Sequence, residues 1–211
     1  MTIVALYEYN ESVIRLLWHN SGMASLPATR LTEDEYLAIE RVAETKSEFH
    51  EGQMFAMAGG TPVHSQLSTR MGGLLDRGVP KGCRTYNSDL RIKVVSVGMY
   101  TYADSVVVCG DLQCDGDHRD VVVNPLLLVE VLSPSTEAYD RGKKFELYRT
   151  IPTFREYLLV HQDRPHTEHY SRQEDGSWLL RERAGPDAAA KIARLNVQIS
   201  LADLYADALP A

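Results

Sequence analysis

Residues 125–132, "PLLLVEVL", constrain this chain more than any other stretch. Leu126 to Val129, followed by Val131 and Leu132, make an apolar run of the kind found in a strand covered on both faces. Glu130 sits inside that run, and Ser133-Pro134 then breaks it. An ionised carboxylate there is costly to desolvate, so Glu130 must be paired, protonated or bound to a metal. Such a strand needs a layer on each side of its sheet. A chain of 211 residues, 44% of them hydrophobic, is long enough to supply those layers within one domain.

The flanking sequence supplies candidates for the layers. Thr32 ahead of Glu33, Asp34 and Glu35 predicts a capped helix start. Residues 47–60 read as two short strands turning at Glu51-Gly52, and a second helix runs from Val63 to about Gly78 and Pro80. Three strands are predicted at 89–97, 101–109 and 124–132, with the acid-rich loop "GDLQCDGDHRD" before the last. A helix over 137–150, a strand over 154–162, a hairpin turning at Asp175-Gly176 and a short helix capped by Ser200 complete the chain. The order helix, three strands, helix, strand, with a hairpin before and another after, predicts an α/β fold around a mixed central sheet. "GTPVHS" has the wrong spacing for either phosphate-cradling glycine fingerprint.

Charge and cysteine usage exclude some classes. A formal net charge of −7 argues against a protein that coats nucleic acid electrostatically. Between the acidic segments, however, Arg70, Arg77, Lys81, Arg84, Arg91 and Lys93 face only Asp76 and Asp89, which predicts a local basic surface. Cys83, Cys109 and Cys114 are odd in number and lack CxxC spacing, as expected of buried or free thiols in a reducing cytoplasm and not of a zinc site. No segment has the apolar length of a membrane span. The start, "MTIVALYEYNESVIRLLWHNSG", lacks the basic n-region of a signal peptide. The expectation is an extension over residues 1–24, consistent with an over-long gene start, and a single domain over 25–211.

Glu130 has a candidate companion in Asp104, at the polar start of the preceding strand. If the two strands pair antiparallel, the start of one lies beside the end of the other. Two carboxylates brought together repel unless a divalent cation lies between them, and magnesium suits such a site because it keeps several waters. Asp140, Lys144 and Tyr148 are four apart and share a helix face, from which Lys144 can orient a water or steady charge on a phosphate. Plainer readings stand beside this one. Glu130 can be salt-bridged to Lys144 or Arg141, and Asp104 can accept backbone hydrogen bonds at a strand start. Glu48 and Asp89 read more readily as solvated carboxylates, and His64 as a surface histidine that could cap or touch a substrate. Of His161, His166 and His169 only the last two are close in sequence, so they make no metal set by themselves.

"FHEGQMFAMAGGTPVHSQL", "CRTYNSDLRIKV", "YADSVVVC", "LLVEVLSPSTEAYDRGKKFELYRTIPTFREYLLV" and "DGSW" resemble, in that order, the Uma family of proposed endonucleases, long grouped as a domain of unknown function. The resemblance spans about Thr32 to Tyr205. It implies the PD-(D/E)XK, restriction-endonuclease-like superfamily, whose core is helix, three strands, helix, strand. It further implies that Asp104 and Glu130 bind Mg2+, with Mn2+ as a substitute, that the Val131 carbonyl completes the protein ligands, and that Glu48 is an additional ligand. Two positions depart from the pattern. Ala103 replaces the usual proline before the first aspartate, and Leu132 stands where the lysine two places after the second acid belongs. The resemblance places that lysine's role on Lys144. The activity implied is hydrolysis of DNA phosphodiester bonds by a metal-activated water, in a cytoplasmic homodimer. The alternatives are a catalytically impaired nucleic-acid- or protein-binding module with a vestigial metal site, and a metal-dependent hydrolase of a small phosphorylated molecule.

Overall fold

The computed structural model describes residues 30–209. From Leu31 onward they form one compact unit, while the expected boundary between 24 and 25 lies outside the described residues. No helix among the described residues is long and apolar enough to cross a membrane.

Helix α1 (Glu33–Glu40) begins with the expected capping box: the Thr32 side chain accepts the Glu35 amide, and Glu35 accepts the Thr32 amide at 2.8 Å. Strands β1 (Ser47–His50) and β2 (Gln53–Ala56) follow as a hairpin. Its two-residue turn puts both Glu51 and Gly52 at positive φ, the geometry that matches strand twist and that glycine adopts without strain. Helix α2 (Pro62–Gly78) starts with proline in its first turn and Thr61 as cap, and buries Leu67, Met71 and Leu75.

The strands are divided among two six-stranded sheets and one two-stranded sheet. After α2 come β3 (Cys83–Asn87), β4 (Arg91–Val94), β5 (Met99–Tyr102), β6 (Ser105–Cys109), β7 (Cys114–Asp115), β8 (His118–Val122) and β9 (Leu127–Leu132). A helical segment α3 begins as Glu137–Tyr139, widens into a π-turn over Asp140–Lys144 and returns to α-helix over Phe145–Tyr148. Then follow β10 (Glu156–His161), the hairpin β11 (His166–Arg172) and β12 (Trp178–Ala184), the hairpin β13 (Ala189–Ile192) and β14 (Val197–Ser200), and α4 (Leu201–Tyr205), capped by Ser200.

The central sheet runs β12-β11-β10-β9-β6-β3, with β9 and β10 parallel and its other pairs antiparallel. Taken along the chain, α2, β3, β6, β9, α3 and β10 are the helix, three strands, helix and strand of a restriction-endonuclease-like core. The first of the three strands is a correction. Residues 89–97 yield β4, in the second sheet, and the core strand is Cys83–Asn87, whose mostly polar sequence carries no alternating signal. The second sheet, β2-β1-β5-β4-β8-β7, takes in the β7–β8 hairpin hidden in the acid-rich loop.

β9 is buried at every position, as its apolar run requires. On one face Leu127, Val129 and Val131 pack with α2, β14 and α4. On the other, Leu128 and Leu132 pack with Ile92, Val94 and Met99 from the second sheet and with Phe145 and Tyr148 of α3. Each such leucine contributes about 1.5–3 kcal/mol relative to an exposed one.

Two further expectations are corrected. Cys83 and Cys109 are joined by a disulfide, because β3 and β6 pair antiparallel and set these residues directly opposite each other; Cys114 is free. The predicted basic surface is divided: Arg91 is buried against Asp120 at 2.7 Å, and Lys93 lies 2.7 Å from both Glu33 and Asp115. These two cations are spent on holding α1 and the second sheet together.

Candidate active site

The predicted strand over 101–109 is two strands, and the break between them builds the site. The chain leaves the second sheet at Tyr102 and enters the central sheet at Ser105, so Ala103 and Asp104 form an elbow between the sheets. β6 and β9 pair antiparallel, with Ser105 opposite Val129, and one step further on Asp104 reaches the end of β9. Its carboxylate accepts the Val131 amide at 2.7 Å. The backbone-acceptor role weighed for Asp104 is therefore present in the structure. So is the expected neighbourhood with Glu130.

Glu130 points to the α3 side of the sheet, 5% exposed. The Lys144 ammonium lies 3.0 Å from its carboxylate and 3.1 Å from that of Glu48, donates to the Tyr102 carbonyl at 3.3 Å, and is 3.8 Å from Asp140. Of the two salt-bridge partners considered for Glu130, the structure selects Lys144. Arg141 turns away to Glu168, at 2.8 Å. Tyr148 donates its hydroxyl to Glu130 at 3.1 Å, and Thr101 donates to Glu48 at 2.6 Å. Glu48 comes from β1, in the second sheet, so both sheets, the elbow and α3 contribute to one cluster.

The π-turn matters here because it holds both Asp140 and Lys144 and buries both, at 3% and 5% exposure. Such widened turns are frequent at functional sites. Glu48, Glu130 and Asp140 are three carboxyl groups sharing one ammonium, with Asp104 close by. Burial pushes the Glu130 carboxyl well up, with Lys144 opposing and Asp140 and Asp104 adding to the rise. Burial likewise raises Asp140. Desolvation works against the Lys144 charge, yet Glu130, Glu48 and Asp140, with Tyr148, outweigh it and hold the ammonium protonated.

These residues line a cleft of about 1320 Å³ between α2, the elbow, the end of β9 and α3. His64 proves to be a cleft residue rather than a surface one, with Nε2 3.5 Å from the Asp104 carboxylate. Its place follows from the Thr61 cap, which fixes the first turn of α2. Asp89 is exposed and pairs with Lys46, as a solvated carboxylate should. His161, His166 and His169 each meet a different glutamate: His161 meets Glu168, His166 meets Glu182, and His169 meets Glu156. The antiparallel β10–β11 pair stacks the His161 and His166 rings at 4.4 Å, a neighbourhood that linear spacing does not show.

Sequence reasoning missed Thr101, which carried no signal. It placed Tyr148 and Asp140 on the right helix face without giving either a role. Among the described residues no three His, Cys, Asp or Glu side chains converge as a metal-holding group, since the Lys144 ammonium stands between Glu48 and Glu130. The donors are nevertheless hard oxygens with an excess of negative charge, the chemistry that suits a magnesium-like cation.

Comparison with known proteins agrees with the fold. Residues 33–202 match the Uma2 family model, described as "Putative restriction endonuclease". Two uncharacterized proteins of Synechocystis sp. are similar: slr1290 is 41% identical over 157 residues, covering 74% of this chain and 82% of that protein, and sll1609 is 35% identical over 170 residues, covering 79% and 95%. A crystal structure described as a "putative nuclease belonging to DUF820" from Anabaena variabilis superposes with a TM-score of 0.68 at 19% identity, over 85% of this chain and 99% of that one, a likeness of fold. An elbow aspartate, a strand glutamate and a buried helix lysine meeting in one cleft are thus found in a chain that belongs to the Uma2 family of restriction-endonuclease-like proteins.

Proposed function

We propose that the chain is a metal-dependent endonuclease that hydrolyses DNA phosphodiester bonds at the cleft holding Asp104, Glu130 and Lys144. The observation that carries this reading is the buried Lys144 ammonium 3.0 Å from Glu130, at the strand end where Asp104 is anchored, in a chain of this family. In this reading Leu132, buried in the core at 3% exposure, leaves the lysine's work to Lys144 on α3.

Asp104 and Glu130, with the Val131 carbonyl and Glu48, would hold magnesium or manganese. The ion, when bound, supplies Lewis-acid polarisation of the phosphate and a water acidic enough to attack at neutral pH. The chain's residues do the rest. The Val131 amide fixes the Asp104 carboxylate, and Tyr148 and Lys144 orient that of Glu130. Lys144, kept charged by its carboxylates, is placed to steady negative charge as it builds on the phosphate. His64, beside Asp104, is placed to meet a phosphate or a leaving oxygen at the cleft wall. A homodimer with one cleft in each chain belongs to this reading, and sedimentation measures it directly.

A second reading is a catalytically impaired binding module with a vestigial metal site. It is favoured by the Lys144 ion pairs, which already engage the carboxylates a metal would need. Cleavage of plasmid and single-stranded DNA with magnesium or manganese separates the two, with wild type beside Asp104→Ala, Glu130→Gln and Lys144→Ala. The nuclease reading expects activity in wild type and its loss in all three variants. Equal cleavage by wild type and variants would refute this site. Absence of wild-type cleavage, with magnesium binding still seen by calorimetry, would favour the module.

A further inference from the structure

Three of the chain's four phenylalanines, Phe49, Phe145 and Phe154, are buried in the core, but Phe55 leaves half its surface in water. It lies on β2, an edge strand, as the cross-strand partner of Glu48. Directly paired residues of an antiparallel ladder project from the same face, so the ring stands beside the Glu48 carboxylate in the cleft wall. Tyr139, in the first turn of α3, is 37% exposed and lines the same cleft. Burial, and after it the nearby Glu48 carboxylate, pushes that phenol up to about 12. Two accessible aromatic rings from separate elements therefore flank one carboxylate of the site. Single exposed apolar side chains are ordinary; two rings beside the same cleft carboxylate call for an account.

The charge of the cleft indicates what the rings are for. Six carboxylate-bearing residues line it, against Lys46 and Lys144. Both lysines are engaged, Lys46 with Asp89 and the Ser88 carbonyl, Lys144 with Glu48 and Glu130. Such walls offer little attraction to a phosphate chain, whose binding normally rests on unpaired cations. Stacking of a nucleobase on an aromatic ring needs no net charge and tolerates any base.

We propose that Phe55 and Tyr139 form a stacking platform for an unpaired nucleobase, so that the substrate is single-stranded or locally unpaired DNA. The proposal rests on the nuclease reading for the identity of the nearby phosphate, but it is tested by binding. In a Glu130→Gln background with magnesium present, a 2-aminopurine-containing oligodeoxynucleotide should be quenched on binding as a single strand. The same sequence as a duplex should bind roughly ten-fold more weakly. Phe55→Ala and Tyr139→Ala should each weaken the single strand by about ten-fold, and Phe55→Trp should retain binding and quenching. Tyr139→Phe, which keeps the ring and loses only the hydroxyl, should bind like the parent.

Equal affinity for single strand and duplex, or alanine variants that bind as the parent does, would overturn the platform. So would a Phe55→Ala variant that disperses a dimer in sedimentation while leaving DNA binding unchanged, because the ring would then belong to a contact between two copies of the chain. Failure of the nuclease reading looks different: wild type would not cleave, while single-strand quenching still depended on Phe55 and Tyr139.

Discussion

Two ionic centres, one half-buried and one buried, hang from the same π-turn of α3, and they differ in charge balance. Arg141 leaves the turn toward β11, where it meets Glu168 through Nε at 3.0 Å and Nη2 at 2.8 Å, with His161 2.9 Å from the same carboxylate and Glu137 2.7 Å from the guanidinium. Lys144, three residues on, meets Glu130, Glu48 and Asp140, with Asp104 close by. In the first centre, cations and hydrogen-bond donors match the acids. In the second, three carboxyls share one ammonium and a fourth lies close by. A balanced buried pair orients an element and asks for nothing more. An unbalanced one stores repulsion that a ligand or a proton can relieve.

The sharpest way to break the comparison is to remove each cation in turn. Lys144→Ala leaves the buried Glu130 and Asp140 and the half-buried Glu48 without their ammonium. It should cost about 3–5 kcal/mol in urea unfolding and lower cleavage by at least ~100-fold. If cleavage survives in protein that remains folded, Lys144 is structural. Glu130→Gln should lower cleavage by ~1000-fold yet change stability by less than about 1 kcal/mol, since the amide can still accept the Tyr148 hydroxyl. Arg141→Ala should do the reverse. With Glu168 keeping only His161 and Tyr170 as partners, stability should fall by about 2 kcal/mol, while the cleavage rate well below the melting temperature stays within about three-fold of wild type.

The pH dependence of stability sharpens the contrast, because the two centres titrate in opposite senses. Glu130 and Asp140 are raised by burial, so their contribution to stability is present below the ordinary carboxyl range and is lost as pH rises through their folded values. Burial also opposes the Glu168 charge, but the hydrogen bonds from Arg141 and His161 prevail and lower its pKa. Its contribution is therefore present above the ordinary range and is lost as pH falls through the lowered value. His161, lowered chiefly by burial, acts in the same direction by resisting protonation. Glu130→Gln should make the loss of stability from acid toward neutral pH shallower, and Glu168→Gln should blunt unfolding in acid. Thermal melts across pH 3–8 measure both, and equal slopes in the two variants would refute the distinction. The smallest expected effect lies far from either centre. Thr32→Ala removes the α1 capping box and should cost about 1 kcal/mol without changing cleavage.

Part of this arrangement was legible in linear sequence because local chemistry signals it. Thr32 caps α1, Glu51-Gly52 turns the first hairpin, and the apolar run around Glu130 can only be a buried strand. The fourfold spacing of Asp140, Lys144 and Tyr148 placed them on one face, and the π-turn adjusted that face without dispersing it. The less legible elements lacked a local signature. β3 is mostly polar yet belongs to the central sheet, because the disulfide-linked ladder with β6 and its packing under α2 hold it there. The β7–β8 hairpin lies in acid-rich sequence that reads as loop, and Asp115 and Asp120 find their cations on β4.

The sequence alone determined that a carboxylate must lie within the most apolar strand, that an aspartate and a lysine were available to meet it, and that a helix and a further strand follow that strand. These follow from hydrophobic periodicity, capping and spacing, which act over a few residues. Which cation takes Glu130, that Glu48 and Thr101 join it, that His64 faces the cleft, and that Cys83 reaches Cys109 were decided by the packing of two sheets around the Asp104 elbow. Those contacts join residues 14 to 96 positions apart, brought together by strand order and register. No property of a short segment encodes that order, because it is selected by how all the apolar faces are buried together.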